Sequence, residues 1–283
     1  MTGKVTLKKI RRMNKDGEKI TMLTAYDYPS AKILDSVGIE MILVGDSVGN
    51  TVLGYDNTIP TTMEEMLHHT KAVARGLENP LLIGDMPFLS YQGSVEEAVR
   101  NAGRLIKEGN AEAVKVEGGA EILDQIQKIV DSGIPVMGHL GLTPQKVYQF
   151  GGYQPRGMNL EEAKKIYEDA KKLEDTGVFS IVLESIPSEL GREITEKVDI
   201  PTIGIGAGPH CNGQVLVFHD LLGWTEFSPK FLKKYADLIS TIKDAVKEFR
   251  EEVKSEDFPT LDHSYKMSEN FKDELNEYLE ENP

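Results

Sequence analysis

Met41-Ile42-Leu43-Val44-Gly45-Asp46 is a short apolar run that ends on a carboxylate, and the chain repeats that form in Leu81-Leu82-Ile83-Gly84-Asp85, Ala113-Val114-Lys115-Val116-Glu117 and Ile181-Val182-Leu183-Glu184. Runs this short, bounded by Gly and Pro, suit strands covered on both faces. Further strands are predicted at 21–27, 134–144, 200–208 and 214–223. Segments with helical spacing lie between most of them, at 28–38, 61–79, 94–110, 120–133 and 159–177, with a shorter helix before strand seven. A glycine- and aromatic-rich insert, 145–157, reads as a loop, and 228–258 reads as a long amphipathic helix. Eight strands alternating with helices in 283 residues match a parallel (β/α)8 TIM barrel, typically about 250 residues long. A doubly wound sheet is the alternative. The expected organisation is one barrel domain over 1–283, with a basic N-terminal cap at about 1–19 and an acidic tail at about 259–283.

In a parallel barrel the C-terminal strand ends share one face, where sites are built. Acids meeting there repel one another unless a cation, a substrate or a proton intervenes. In Ala113–Glu117, alternation sends Lys115 and Glu117 to one face and the valines to the other. Asp46 and Asp85 each follow a glycine at a strand end. Either one alone could be a helix N-cap; together with Glu117 they form a set of hard oxygen donors that suits Mg²⁺ better than Zn²⁺. Glu184 could be a fourth ligand, a cap or a general base that takes a proton beside a carbonyl. His139, at the end of strand five, is placed to hydrogen-bond a substrate or to serve the structure. His68-His69 reads as solvated, and Gly204-Ile205-Gly206-Ala207-Gly208 as a phosphate loop or a close-packing device.

Composition narrows the partners. Charged residues make up 28% and hydrophobic ones 40%, ordinary for a globular chain. The net charge of −14 argues against nucleic acid or an anionic membrane as partner, though not against a small anion beside a bound cation. No apolar run approaches the roughly 18 residues of a membrane helix. The start is basic without a following apolar stretch, unlike a secretory signal. The single Cys211 cannot form an internal disulfide, which suits a reducing cytoplasm.

Taken together, Asp46-Ser47-Val48-Gly49, Gly84-Asp85-Met86-Pro87-Phe88, Val114-Lys115-Val116-Glu117-Gly118-Gly119, Gly138-His139-Leu140-Gly141-Leu142-Thr143-Pro144-Gln145, Leu183-Glu184 and Ile203-Gly204-Ile205-Gly206-Ala207-Gly208 resemble the 3-methyl-2-oxobutanoate hydroxymethyltransferase family. The likeness runs in order from about residue 5 to 265. It implies a TIM barrel of the phosphoenolpyruvate/pyruvate-binding type and a one-carbon transferase of pantothenate biosynthesis. It implies Mg²⁺ on Asp46, Asp85 and, directly or through water, Glu117. It also implies oxo-acid contacts from Asp46, Ser47, Asp85, Lys115 and His139, and Glu184 as the catalytic base. The implied co-substrate is 5,10-methylenetetrahydrofolate, and the implied assembly is a cytoplasmic homodecamer, a dimer of pentamers. Two rivals stand beside this reading. One is a Mg²⁺ lyase or mutase of the same barrel class, with Cys211 as its mobile-loop thiol. The other is a non-catalytic barrel that binds a metal–ligand complex.

Overall fold

The computed structural model describes residues 3–283; Met1 and Thr2, the first residues of the expected cap, lie outside the described residues. The chain divides into two compact units, Met1–Tyr235 and Ala236–Pro283. In the first unit, β1 (Ile20–Thr24), β2 (Met41–Val44), β3 (Leu81–Asp85), β4 (Ala113–Lys115), β5 (Val136–Gly141), β6 (Ser180–Glu184), β7 (Thr202–Ile205) and β8 (Gly213–Leu216) form a closed barrel in sequence order. Neighbouring strands all pair in parallel, β8 with β1 included. This is the predicted (β/α)8 architecture.

Side-chain alternation divides the core in two. Ile83, Ala113, Met137 and Val182 point inward and belong to one buried cluster. Val114, Val116, Leu140 and Leu183 belong to the other, packed under the helices. The helix Leu7–Asp16 supplies Ile10 and Met13 to the interior cluster, joined by Val5 from the preceding segment. The segment before β1 thus closes the N-terminal end of the barrel.

The helices start where the sequence sets caps. Thr62 and Glu65 form a reciprocal capping box ahead of Met63–Ala74. The Ser94 hydroxyl accepts from the Glu97 N–H ahead of Val95–Lys107.

Three segments differ from the sequence expectation. Strand eight was expected over 214–223, but β8 stops at Leu216 and Phe218–Leu221 is helical. The Phe218 N–H donates to the Thr24 hydroxyl at 3.1 Å instead of extending the ladder. The insert 145–157 contains a helical turn at Pro144–Lys146 and a short helix at Val147–Phe150. In the second unit the long helix spans Leu238–Ser255 rather than 228–258, because the Asp237 carboxylate caps the Ser240 N–H and starts it there.

Candidate active site

Two residues above each interior core position, the same strand face carries chemistry. Ile83 is followed by Asp85, Ala113 by Lys115, Met137 by His139 and Val182 by Glu184. Alternation thus lifts four polar groups onto the C-terminal rim. Glu117 lies one inward step past Lys115, and Asp46 reaches the rim where the chain turns after β2.

The groups meet as one chain of contacts. Asp85 and Lys115 are register partners, and Lys115 Nζ lies 2.8 Å from Asp85 Oδ1. Lys115 Nζ is also 3.7 Å from Glu117 Oε1 and 3.4 Å from His139 Nδ1. His139 Nδ1 stands 3.4 Å from Glu117 Oε1, and its Nε2 stands 3.2 Å from Glu184 Oε2. The Asp46 N–H donates to Asp85 Oδ2 at 3.1 Å. Neither Asp46 nor Asp85 caps a helix with its side chain, which removes the bland reading of both. Ser47 stands apart from this chain, its hydroxyl 2.8 Å from the Tyr26 hydroxyl.

Burial sets the charge states. Asp46 is pushed well above the usual carboxylate range, first by loss of water and then by the Asp85 and Glu117 charges. Burial also raises Asp85, against the lowering pull of Lys115. Burial presses Glu117 upward too, but His139, Lys115 and the Gln145 N–H outweigh it and hold Glu117 below the ordinary value. Loss of water disfavours the Lys115 ammonium, but Asp85, Glu117 and Asp46 overcome it and raise the group. Burial and Lys115 likewise oppose charge on His139, yet Glu117 and Glu184 lift it to about 9. Lys115 and His139 are therefore cations at neutral pH.

Sequence reasoning assigned no role to Gln145 or Tyr91, and both are buried in this cluster. Gln145 donates from Nε2 to Asp46 Oδ2 at 2.9 Å and to the Met86 carbonyl at 3.0 Å. Its backbone N–H donates to Glu117 Oε2 at 3.0 Å. The Tyr91 hydroxyl accepts from the Glu117 N–H at 2.9 Å and donates to Gln145 Oε1 at 2.8 Å. The available signal was Gln145 itself, a polar residue directly after Leu-Thr-Pro at a strand end.

Among the described residues, no three His, Cys, Asp or Glu side chains are grouped so as to hold an ion by themselves. The donor chemistry nonetheless fits a hard cation. The Asp85 carboxylate accepts from the Asp46 backbone N–H, the Asp46 carboxylate has no ion-pair partner among the described residues, and no protein donor among them reaches Asp46 Oδ1. A divalent cation completed by water or a chelating ligand suits such a pair.

Other expectations change. His69 is half-buried and its Nδ1 lies 2.7 Å from the Tyr26 carbonyl, so it is not simply solvated. Cys211 is wholly buried, and burial raises its thiol, the opposite of a reactive loop cysteine. At Gly208 a side chain would collide with Ser188 Oγ at 2.2 Å, so this glycine serves close packing. Among the described residues, no helix is long and apolar enough to cross a membrane.

A closed parallel barrel with acids, a lysine and a histidine on its C-terminal rim defines the chain as a (β/α)8 barrel with an ionisable rim site. Its fold is similar to that of phosphonopyruvate hydrolase in complex with oxalate and Mg²⁺, with a TM-score of 0.60, 14% identity and 98% of each chain covered. It is also similar to 2,3-dimethylmalate lyase, with a TM-score of 0.57, 17% identity and 97% and 96% of the two chains covered. The sequence is more particular: residues 4–261 match the ketopantoate hydroxymethyltransferase family model, and the chain belongs to that family. It is 58% identical over 263 residues to the 3-methyl-2-oxobutanoate hydroxymethyltransferase of Syntrophus aciditrophicus (strain SB), covering 93% of this chain and 97% of the relative. It is 56% identical over 268 residues to the same-named protein of Thermoanaerobacter sp. (strain X514), covering 94% and 98%.

Proposed function

We propose that this chain transfers a hydroxymethyl group from 5,10-methylenetetrahydrofolate to 3-methyl-2-oxobutanoate, forming 2-dehydropantoate. Family membership and the rim chemistry support this together. The observation that carries the chemistry is the access to Glu184. Its side chain is 17% exposed, whereas those of Asp85 and Glu117 are 1% exposed, and it lies against the cationic His139. It is the most exposed acid of the cluster and so the one a substrate reaches first.

In the proposed reaction Lys115 offsets the oxo-acid carboxylate, and His139 donates to an oxygen of the same substrate. Ser47, fixed by Tyr26, supplies a further hydroxyl contact. Asp46 and Asp85 would hold Mg²⁺, with Glu117 acting directly or through water. When bound, Mg²⁺ supplies Lewis-acid stabilisation of negative charge developing on the 2-oxo oxygen. Glu184 removes the C3 proton, and the C3–H electron pair becomes the C2–C3 bond of the enolate. Water adds to the methylene carbon of the folate, its two C–N bonds break, and tetrahydrofolate departs, leaving formaldehyde that carries the oxygen from water. The enolate carbon attacks the formaldehyde carbon as the C=O π pair moves to oxygen, and the proton held by Glu184 completes the hydroxyl. The proposal includes a reducing cytoplasmic setting, supported by the lone buried Cys211. It also includes a ten-chain assembly, consistent with exposed Ile33 and Val37 on one helix and checked by sedimentation.

Deuterium exchange at C3 of 3-methyl-2-oxobutanoate, with Mg²⁺ and without folate, tests the central step. Glu184→Gln should slow exchange by roughly 10²-fold or more. Exchange at the wild-type rate in that variant would remove Glu184 as the base.

A further inference from the structure

We propose that Gln145 is the positioning residue of the acid cluster, holding Asp46 and Glu117 in the arrangement that leaves Asp46 Oδ1 open to a divalent cation. This rests on the reading above that Mg²⁺ and an oxo acid occupy the rim.

Gln145 comes off the turn Pro144–Lys146, just after β5. Its amide can point only one way. The nitrogen gives its two protons to Asp46 Oδ2 and the Met86 carbonyl. The oxygen accepts from the Tyr91 hydroxyl and, at 3.0 Å, from Gln92 Nε2. A flipped amide would set oxygen against two acceptors, Asp46 Oδ2 and the Met86 carbonyl. The backbone N–H of the same residue takes Glu117 Oε2. One residue thus ties together carboxylates from the ends of two different strands.

Its neutrality matters as much as its reach. Lys115 pairs with Asp85 and Glu117, and among the described residues no cation stands within ion-pair distance of Asp46. The side-chain donor on the Asp46 carboxylate is the Gln145 amide. An amide orients a carboxylate without supplying a positive charge, so the countercharge for Asp46 is left to an added cation. Outside the turn, Lys146 pairs with Glu121, and this clamps the segment from the solvent side.

The test is calorimetric titration of the full chain with Mg²⁺ in the absence of oxo acid, alongside the deuterium-exchange assay. Gln145→Met keeps the volume and the backbone N–H but removes the amide. The expected result is Mg²⁺ binding about tenfold weaker, with the KM for oxo acid in exchange raised more than kcat is lowered. A folded Gln145→Met protein with wild-type Mg²⁺ affinity and wild-type KM overturns the proposal and makes Gln145 a packing residue. Should that variant fail to fold, Gln145→Asn decides, because its shorter amide withdraws from Asp46 Oδ2 while the backbone N–H to Glu117 remains. Weaker Mg²⁺ binding in a folded Gln145→Asn protein supports the proposal, and unchanged binding overturns it. A wild type that binds no Mg²⁺ overturns both this inference and the metal reading beneath it, and the wild-type titration alone reveals that case.

Discussion

Lys115 and Asp85 face each other across one rung of the β3–β4 ladder and close a 2.8 Å ion pair with both side chains almost fully shielded from water. A buried pair gives little net stability while intact, but breaking it leaves a stranded charge. Lys115→Met should therefore destabilise the protein by about 3–5 kcal/mol in denaturant unfolding. Adding Asp85→Asn should recover part of that loss by removing the stranded charge. A double variant no more stable than Lys115→Met would show that the pair is not the source of the penalty.

His139 gives the metal-free protein a pH signature. Its folded value of about 9 lies above the ordinary 6.5. The stabilisation from its raised affinity for a proton is complete below about pH 6.5 and is lost as pH rises through 9. Asp46, also raised, adds a loss of the same sign as it ionises. The melting temperature of the metal-free chain should fall between pH 6.5 and 9, and saturating Mg²⁺ should flatten that fall. A metal-free melting curve that is level across this window would contradict the assignment.

Gly141 is a steric guard on the base. Its φ is +95°, and a Cβ there would lie 2.2 Å from the Glu184 carbonyl oxygen and 2.7 Å from Ile186 Cγ2. The two residues are register partners on β5 and β6. Gly141→Ala should cost about 1–3 kcal/mol from backbone strain alone. It should also slow C3 exchange by moving the end of β6. Retained stability together with a full exchange rate would mean that the strand end relaxes freely.

His139 also links the buried acids to Glu184. His139→Asn removes the imidazole cation next to the base while keeping a polar group of smaller reach. Exchange should fall by about 10²-fold, whereas Mg²⁺ affinity, which depends on Asp46 and Asp85 in this reading, should fall far less. Equal losses in both measurements would indicate general collapse of the rim.

The barrel was legible in the sequence because each strand is a short apolar run closed by a turn residue. The rim residues were legible because alternation carries polarity two places beyond a core side chain, as at Ile83 and Asp85 or Met137 and His139. Strand eight was over-read because Val215-Leu216-Val217-Phe218 is equally apolar whether it continues a buried strand or turns into a buried helix. What ended it was a hydrogen bond from Phe218 to Thr24, nearly two hundred residues earlier in the chain. Gln145 escaped for the same reason. Its partners come from three separate βα units, Asp46 after β2, Met86 and Tyr91 after β3 and Glu117 after β4, and nothing local marks a glutamine as their meeting point.

Among the described residues, Val5, Ile10 and Met13 lay an apolar floor under the barrel, which leaves the C-terminal rim as the way in. In the proposed reaction both reactants and both products must pass through that same opening. The oxo acid, seated low against Lys115, has to arrive before the bulky folate, and tetrahydrofolate has to depart before dehydropantoate can escape. Steady-state kinetics should accordingly show compulsory order, with dehydropantoate competing against the oxo acid and not against the folate.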